Sequence, residues 1–227
     1  MTSFLYELDN VQPMNDSSDR NANQRAFWSS EFGNAYVDRN KSIDEVNKSY
    51  AEQTGITVEE IFRRFFNDLD RQSKILELGC NVGLNLEMLE KMGFNYLHGV
   101  ELNKKALKIA QERNPKVIFV NSSIEDFESN EKYDLVFTAG VLIHIHPSIL
   151  ESVIRKIVDL SNQYIFGFEY YSEKLEEIKY RNHSNLCWKQ DFPLLFRKLF
   201  PSLKIVRQEK FSYKDNDLID IAYLLRK

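Results

Sequence analysis

From Lys74 onward the chain alternates short apolar runs with longer amphipathic ones, and this alternation restricts its fold more than any other feature. The apolar runs at 75–78, 96–102, 117–120, 133–138 and 164–168 read as strands, and the stretches 84–92, 104–113 and 148–160 between them read as helices. Strands separated by roughly 10–15 helical residues need crossover connections, which makes their sheet parallel and covers both of its faces. An amphipathic stretch at 192–200 then precedes two further strands, 203–210 and 218–225. Lys214, Asp215 and Asn216 lie between these two, so they read as an antiparallel hairpin at one edge. The expected fold is a doubly wound α/β sandwich of seven strands, mostly parallel, with an antiparallel C-terminal hairpin.

Upstream of Lys74 the pattern changes. Residues 9–25 are dense in Asn, Asp, Ser and Gln and read as a polar loop or arm. Helical patterning starts near Gln24 and recurs at 43–53. In 56–69, Ile61, Phe62, Phe65, Phe66 and Leu69 share one helix face behind a Thr57/Glu60 capping box. The chain therefore divides into a polar arm (1–25), a helical cap (26–70) and an α/β domain (71–227).

Composition narrows the chemistry. At 227 residues and 43% hydrophobic the chain can bury a core without disulfides or metal. Cys80 and Cys187 lie far apart, with no CxxC spacing and no His-rich partner segment, so neither a zinc site nor a disulfide framework is expected, and a reducing cytoplasm is. The longest apolar stretch, 138–143, falls far short of the ~20 residues that cross a bilayer, and MTSFLYELDN lacks the basic flank of a secretory signal. A net charge of −4 argues against nucleic acid and leaves a small molecule as the expected partner.

The segment ILELGCNVGLN, 75–85, runs a buried strand through Gly79 and Gly83 into a helix, so backbone can approach a ligand closely and helix N–H groups can point at it. Asn81, between the glycines, tolerates a left-handed backbone. A dinucleotide fingerprint would need glycines at 81 and 84, where Asn81 and Leu84 stand. Twenty-two residues after Gly79, at the end of the next strand, Glu101 can accept both hydroxyls of a ribose.

With Glu77, Gly79 and Gly83 as an E-x-G-x-x-x-G turn, Glu101 as the ribose acid, and YDLVFTAGVLIHIHP at 133–147, the chain resembles the class I S-adenosylmethionine-dependent methyltransferases over about residues 74–227. The resemblance implies a Rossmann-like sandwich that binds S-adenosylmethionine. It would do so along Glu77, Gly79, Cys80, Asn81, Gly83 and Asn85, at Glu101 and Leu102, and at Thr138 and Gly140. It also places the adenine against Asn121, Ser122, Ser123, Ile124 and Glu125, with the Ser123 hydroxyl where many members have an acid.

The ends are similar to a narrower group, the pseudaminic-acid-biosynthesis-associated methylases. FWSSEFGNAYVDRN at 27–40 and EYYSEKLEEIKYRNHSNLCWKQDF at 169–192 carry this likeness, with departures at Asn182, Cys187 and Gln190. Tyr36 and Arg39 are near neighbours on a helix face, and the planar donors of Arg39 suit a carboxylate. They are expected to lid the cofactor, with Arg39 on its methionine carboxylate and Trp28 or Phe32 closing the apolar side. An acceptor-site insertion at about 170–192 offers Tyr170, Tyr171, Tyr180, Arg181, His183, Trp188 and Lys189 to a polyhydroxylated or carboxylated ligand.

Methyl transfer is an in-line displacement in which alignment matters most, and a hydroxyl acceptor also needs a base with a pKa near neutrality. His144 and His146 diverge on a helix, being two residues apart. His144 is the favoured base and His146 ends the segment. Glu169 is the second candidate, better suited to orienting than to proton transfer unless burial raises it. The scattered acids suggest no metal. The expected activity is methyl transfer to a sugar or sugar nucleotide of surface-glycan biosynthesis. Alternatives are another polar metabolite or nitrogen acceptor, a cofactor-binding protein without turnover, and a nicotinamide-dependent oxidoreductase.

Overall fold

A computed structural model describes residues 17–39, 42–181 and 183–227. Four helices lead: α1 (Ser17–Ser29), α2 (Glu31–Val37), α3 (Ile43–Thr54) and α4 (Val58–Phe66). The remainder alternates as β1 (Lys74–Leu78), α5 (Leu84–Lys91), β2 (Tyr96–Glu101), α6 (Lys104–Arg113), β3 (Ile118–Asn121), β4 (Tyr133–Ala139), α7 (Pro147–Leu160) and β5 (Ser161–Tyr170). A two-stranded pair, β6 (Glu176–Glu177) and β7 (Trp188–Lys189), precedes α8 (Phe192–Leu199), β8 (Lys204–Ser212) and β9 (Ile219–Arg226).

Seven strands form one sheet in the order β3-β2-β1-β4-β5-β9-β8. The first five are parallel, and β9 runs antiparallel between β5 and β8. This is the expected doubly wound sandwich with its antiparallel C-terminal pair. Alternate side chains feed two cores. Ile75, Leu135, Phe137, Phe166 and Leu224 meet Phe62, Phe65 and Phe66 of α4 on one face. Leu76, Val136, Ile165 and Tyr223 meet Ile154 and Ile157 of α7 and Phe192 and Phe196 of α8 on the other.

Caps fix the helix starts. Thr57 and Glu60 form the capping box of α4, and Asn103 accepts the Ala106 N–H at the start of α6. His146 caps α7 ahead of Pro147 by accepting the Ser148 N–H through Nδ1, so it does end the segment.

Two features depart from expectation. Helix α1 begins at Ser17, so the described part of the 9–25 stretch is helical and not a loop, and Gln24 within it is buried. Its sequence, SSDRNANQRAFWS, has no apolar stripe to announce a helix; contacts to the loops beneath hold it in place instead. The β6–β7 pair, too short for periodicity, organises the 170–192 insertion. Among the described residues no helix is long and apolar enough to cross a membrane.

Candidate active site

The carboxyl ends of β1, β2 and β4 open into one cavity of about 950 Å³, counting its mouth, roofed by α1 and α2. Such crevices at strand ends are where open α/β sheets bind ligands. Gly79, Asn81, Glu101, Leu102, Ser122, Ser123, Ile124, Glu125, Gly140 and His144 line it from below, and Trp28, Tyr36, Gln24 and Arg25 from above.

The β1–α5 turn is built from left-handed residues, with φ of 77° at Gly79, 47° at Asn81 and 76° at Gly83. A Cβ at Gly79 would lie 2.6 Å from Val141 Cγ2, so the turn tolerates no side chain there. Glu101 locks it from the neighbouring strand: Oε2 accepts the Asn81 N–H at 2.8 Å and Oε1 the Asn103 N–H at 2.7 Å. Burial raises the Glu101 pKa against the pull of these backbone donors. Each oxygen keeps acceptor capacity for a further donor.

Two buried acceptors near this turn have no donor, Asn81 Oδ1 and Glu77 Oε2. Glu77 receives Asn85 Nδ2 at 2.6 Å on its other oxygen, and burial pushes its carboxyl up to about 8. Of the two residues only Asn81 lines the cavity, so a ligand's cationic or hydroxyl donor suits its Oδ1, while Glu77 lies behind the turn.

Several candidates stand behind the cavity and shape it. Cys80 is buried beneath β2, its thiol raised by burial, and Gly83 starts α5 against Asn114. Asn121 donates to the carbonyls of Glu101 and Leu102, bracing the loop. Thr138 is buried and donates to Glu169 at 2.9 Å. The Ser123 hydroxyl donates to Asp126 at 2.9 Å and accepts its backbone N–H, so its proton and one of its lone pairs are already engaged within the loop.

Glu169 is a correction. Its Oε1 accepts from the Thr138 hydroxyl and the Val141 and Leu142 N–H groups, and its Oε2 from Ile143 N–H. Burial pushes it up to about 7 against those four donors. It is 1% exposed and off the cavity wall, so it orients the turn after β4 and faces no acceptor.

That turn, a 3-10 segment at Leu142–His144, presents His144. Nδ1 lies 2.7 Å from the Leu186 carbonyl, which can only accept, so Nδ1 carries the hydrogen and Nε2 keeps its lone pair. Burial pushes the imidazole down to about 4, away from the near-neutral value expected of a base. Its ring stands 4.6 Å from Trp28 and 4.8 Å from Tyr180. Tyr36 packs edge-on against Trp28, and burial raises its phenol.

Arg39 is a second correction. It is exposed and does not line the cavity, because α2 ends at Val37 and Arg39 follows in the turn beyond its C-cap. The lining guanidinium is Arg25, paired with Asp126 at 3.0 Å. The insertion divides likewise. Tyr180, Arg181 and His183 close on the roof, with Arg181 over the Tyr36 and Tyr180 rings and His183 against Phe27 and Phe32. Tyr170, its ring edge-on to Tyr213 and its phenol pushed up by burial to about 12, lies off the cavity wall, as does Tyr171 beneath Lys210. Trp188 is buried against His146, and Lys189 pairs with Glu176 at 3.0 Å across the β6–β7 hairpin, so these two serve the insertion's own structure. Asn182 lies outside the described residues.

Sequence reasoning missed Gln24, Arg25 and Asn103. Asn103 carries a readable signal, a helix cap two residues beyond the strand-end acid; it donates to the Trp28 carbonyl and Asn34 and ties the roof down. Among the described residues no group of three or more His, Cys, Asp or Glu could hold a metal.

Residues 75–163 match the family described as Methyltransferase domain. A ubiquinone biosynthesis O-methyltransferase of Rickettsia bellii is 34% identical over 89 residues, 38% of this chain and 37% of that protein. The chain thus spans little more than a third of such relatives. The 1,6-didemethyltoxoflavin-N1-methyltransferase of Burkholderia thailandensis, solved with 1,6-didemethyltoxoflavin and S-adenosylhomocysteine, aligns with a TM-score of 0.68 at 16% identity, covering 96% of this chain and 93% of that one. The N-terminal domain of EvdMO1, solved in the presence of SAH and D-fucose, gives a TM-score of 0.55 at 18% identity over 74% of this chain and 80% of that one. The chain thus carries a stretch, 75–163, similar to the methyltransferase domain family, set in a Rossmann-like fold shared with solved S-adenosylmethionine-dependent methyltransferases.

Proposed function

We propose that the chain transfers a methyl group from S-adenosylmethionine to a hydroxyl of a small polar acceptor, a sugar or sugar nucleotide of surface-glycan biosynthesis, in the cytoplasm. The observation that carries the cofactor reading is Glu101, a partly buried carboxylate fixed by the Asn81 and Asn103 N–H groups at the cavity floor, with acceptor capacity left for two ribose hydroxyls. Asn81 Oδ1, a buried acceptor that lacks a donor and belongs to a residue on the cavity wall, suits the ammonium end. The bound group supplies an activated methyl on a sulfonium.

The chain's residues then have two tasks. The turn held by Glu169 and the roof residues Trp28 and Tyr36 exclude water and align the acceptor. His144, neutral near pH 7, offers Nε2 to the acceptor hydroxyl and receives its proton as the oxygen attacks.

The sugar reading draws on the likeness of 27–40 and 169–192 to the pseudaminic-acid-associated group, on the rings and hydroxyls of Trp28, Tyr36 and Tyr180, and on the fucose present with a structural neighbour. The same density of rings favours a flat heteroaromatic acceptor as a second reading, the kind of ligand present in the toxoflavin enzyme. Incubation with methyl-labelled cofactor and metabolite fractions, followed by mass spectrometry, tests both. A sugar nucleotide heavier by one CH2 supports the first reading, and label confined to protein, lipid or amino-acid fractions rejects it.

A further inference from the structure

We infer that Gln24 is a positioning residue which, by tying helix α1 to the turn after β4 and to the 170–192 insertion, fixes the nitrogen that His144 presents to the cavity. The inference rests on the reading of His144 as the group that receives the acceptor's proton.

Gln24 is 5% exposed, in a helix whose sequence is otherwise mostly polar. A buried primary amide needs partners for both of its ends. Its Oε1 accepts the His146 N–H at 2.9 Å, and its Nε2 reaches the Asn185 carbonyl at 3.5 Å. One side chain therefore joins three segments distant in sequence. His146 is two residues beyond His144, and Asn185 immediately precedes Leu186, whose carbonyl receives the His144 Nδ1–H at 2.7 Å. The Gln24 amide and the His144–Leu186 bond thus run side by side between the same two loops. Asn185 has a φ of 60°, a left-handed turn conformation that asparagine adopts readily. Trp28, one turn along α1 from Gln24, places its ring 4.6 Å from the imidazole.

A neutral imidazole can carry its proton on either nitrogen, and the partner of one nitrogen decides the state of the other. Bonding from Nδ1 to Leu186 leaves Nε2 as an acceptor. If the insertion drifts away, the two tautomers mix and the acceptor nitrogen is lost from part of the population. Gln24 holds the distance over which that selection operates.

The test is the nitrogen-15 spectrum of His144 in the full chain, with and without S-adenosylhomocysteine, for the wild type, Gln24→Met and Gln24→Glu. Methionine keeps the volume and removes both bonds; glutamate keeps the acceptor for His146 and removes the donor to Asn185. The wild type is expected to show a protonated Nδ1 and an unprotonated Nε2, and both variants to lose this single-tautomer signature. Wild-type signatures in folded variants would overturn the inference and leave Gln24 as packing for α1. If Gln24→Met fails to fold, Gln24→Glu carries the test alone. A wild type that binds no S-adenosylhomocysteine in calorimetry would count against the cofactor reading, while the ligand-free spectra would still decide the role of Gln24.

Discussion

Glu101 and His144 show how burial and local donors set the chemistry of a single side chain. Glu101 is bound by two backbone N–H groups, so removing its carboxylate strips the cavity floor of its acceptor and frees the Asn81 turn. Hydrogen bonds to a charged group contribute about 1.5–3 kcal/mol, so Glu101→Ala is expected to weaken S-adenosylhomocysteine binding by roughly 10–100-fold in calorimetry; unchanged affinity would remove the residue from the cofactor site. His144 has a pKa of about 4 in the folded chain against an ordinary 6.5. The unfolded imidazole takes up a proton below 6.5 and the folded one resists until 4, so its contribution to stability is present above pH 6.5 and is lost as pH falls toward 4. Between about pH 7.5 and pH 5 the wild type should lose ~2 kcal/mol more than His144→Asn in urea unfolding. Parallel pH dependence of the two proteins would refute this. Glu101 was legible in the sequence because a strand-end acid at a set distance from a glycine turn has one geometric consequence. Arg39 and the second role offered to Glu169 were misplaced because sequence spacing gives neighbours on an element, not which way that element faces.

At the scale of elements, the turn after β4 depends on β5 for its shape. Glu169 gathers three backbone N–H groups and one hydroxyl, and the cavity residues Gly140, Val141 and His144 ride on the segment it organises. Glu169→Gln sets an amide donor against those N–H groups, leaving at least one unsatisfied. It is expected to cost about 1–3 kcal/mol in urea unfolding and to weaken S-adenosylhomocysteine binding as well. Gly167, two residues earlier on the same strand, provides the contrast. A Cβ there would meet Tyr223 Cζ at 2.1 Å, inside a core that cannot give way. Gly167→Ala should therefore destabilise by about 1–3 kcal/mol or more through overpacking, while the folded fraction keeps its cofactor affinity. Equal loss of affinity in both variants would contradict the division between site and core. The sandwich strands were readable because parallel strands buried on both faces are nearly continuous apolar runs. Helix α1 was not, since its place depends on the tertiary contacts of Gln24, Arg25 and Trp28 and not on an apolar stripe.

Over the whole molecule the two cores and the cavity occupy different parts of the sheet. The cores fill both faces, whereas the cavity lies beyond the strand ends and is closed by helices that contribute little to either core. The roof is held by the Asn103 bonds to Trp28 and Asn34, the Arg25–Asp126 pair and Gln24. Gln24 and Asn103 are buried, whereas the Arg25–Asp126 pair is exposed, a polar tie of the kind that opens locally at low cost. A ligand enclosed between floor and roof would add contacts to both, so its binding energy appears as stability and as order in α1 and α2 together. At a ligand concentration 100 times its Kd the gain is about 2.7 kcal/mol, which for a chain of this length raises Tm by roughly 5–10 °C. S-adenosylhomocysteine should produce that rise and slow amide hydrogen exchange in α1 and α2. NAD at the same concentration should do neither, because Asn81 and Leu84 stand where a dinucleotide turn needs glycine. A rise in Tm without slower exchange in α1 and α2 would mean that these helices do not close over the ligand, and a response to NAD alone would reverse the assignment of the cofactor.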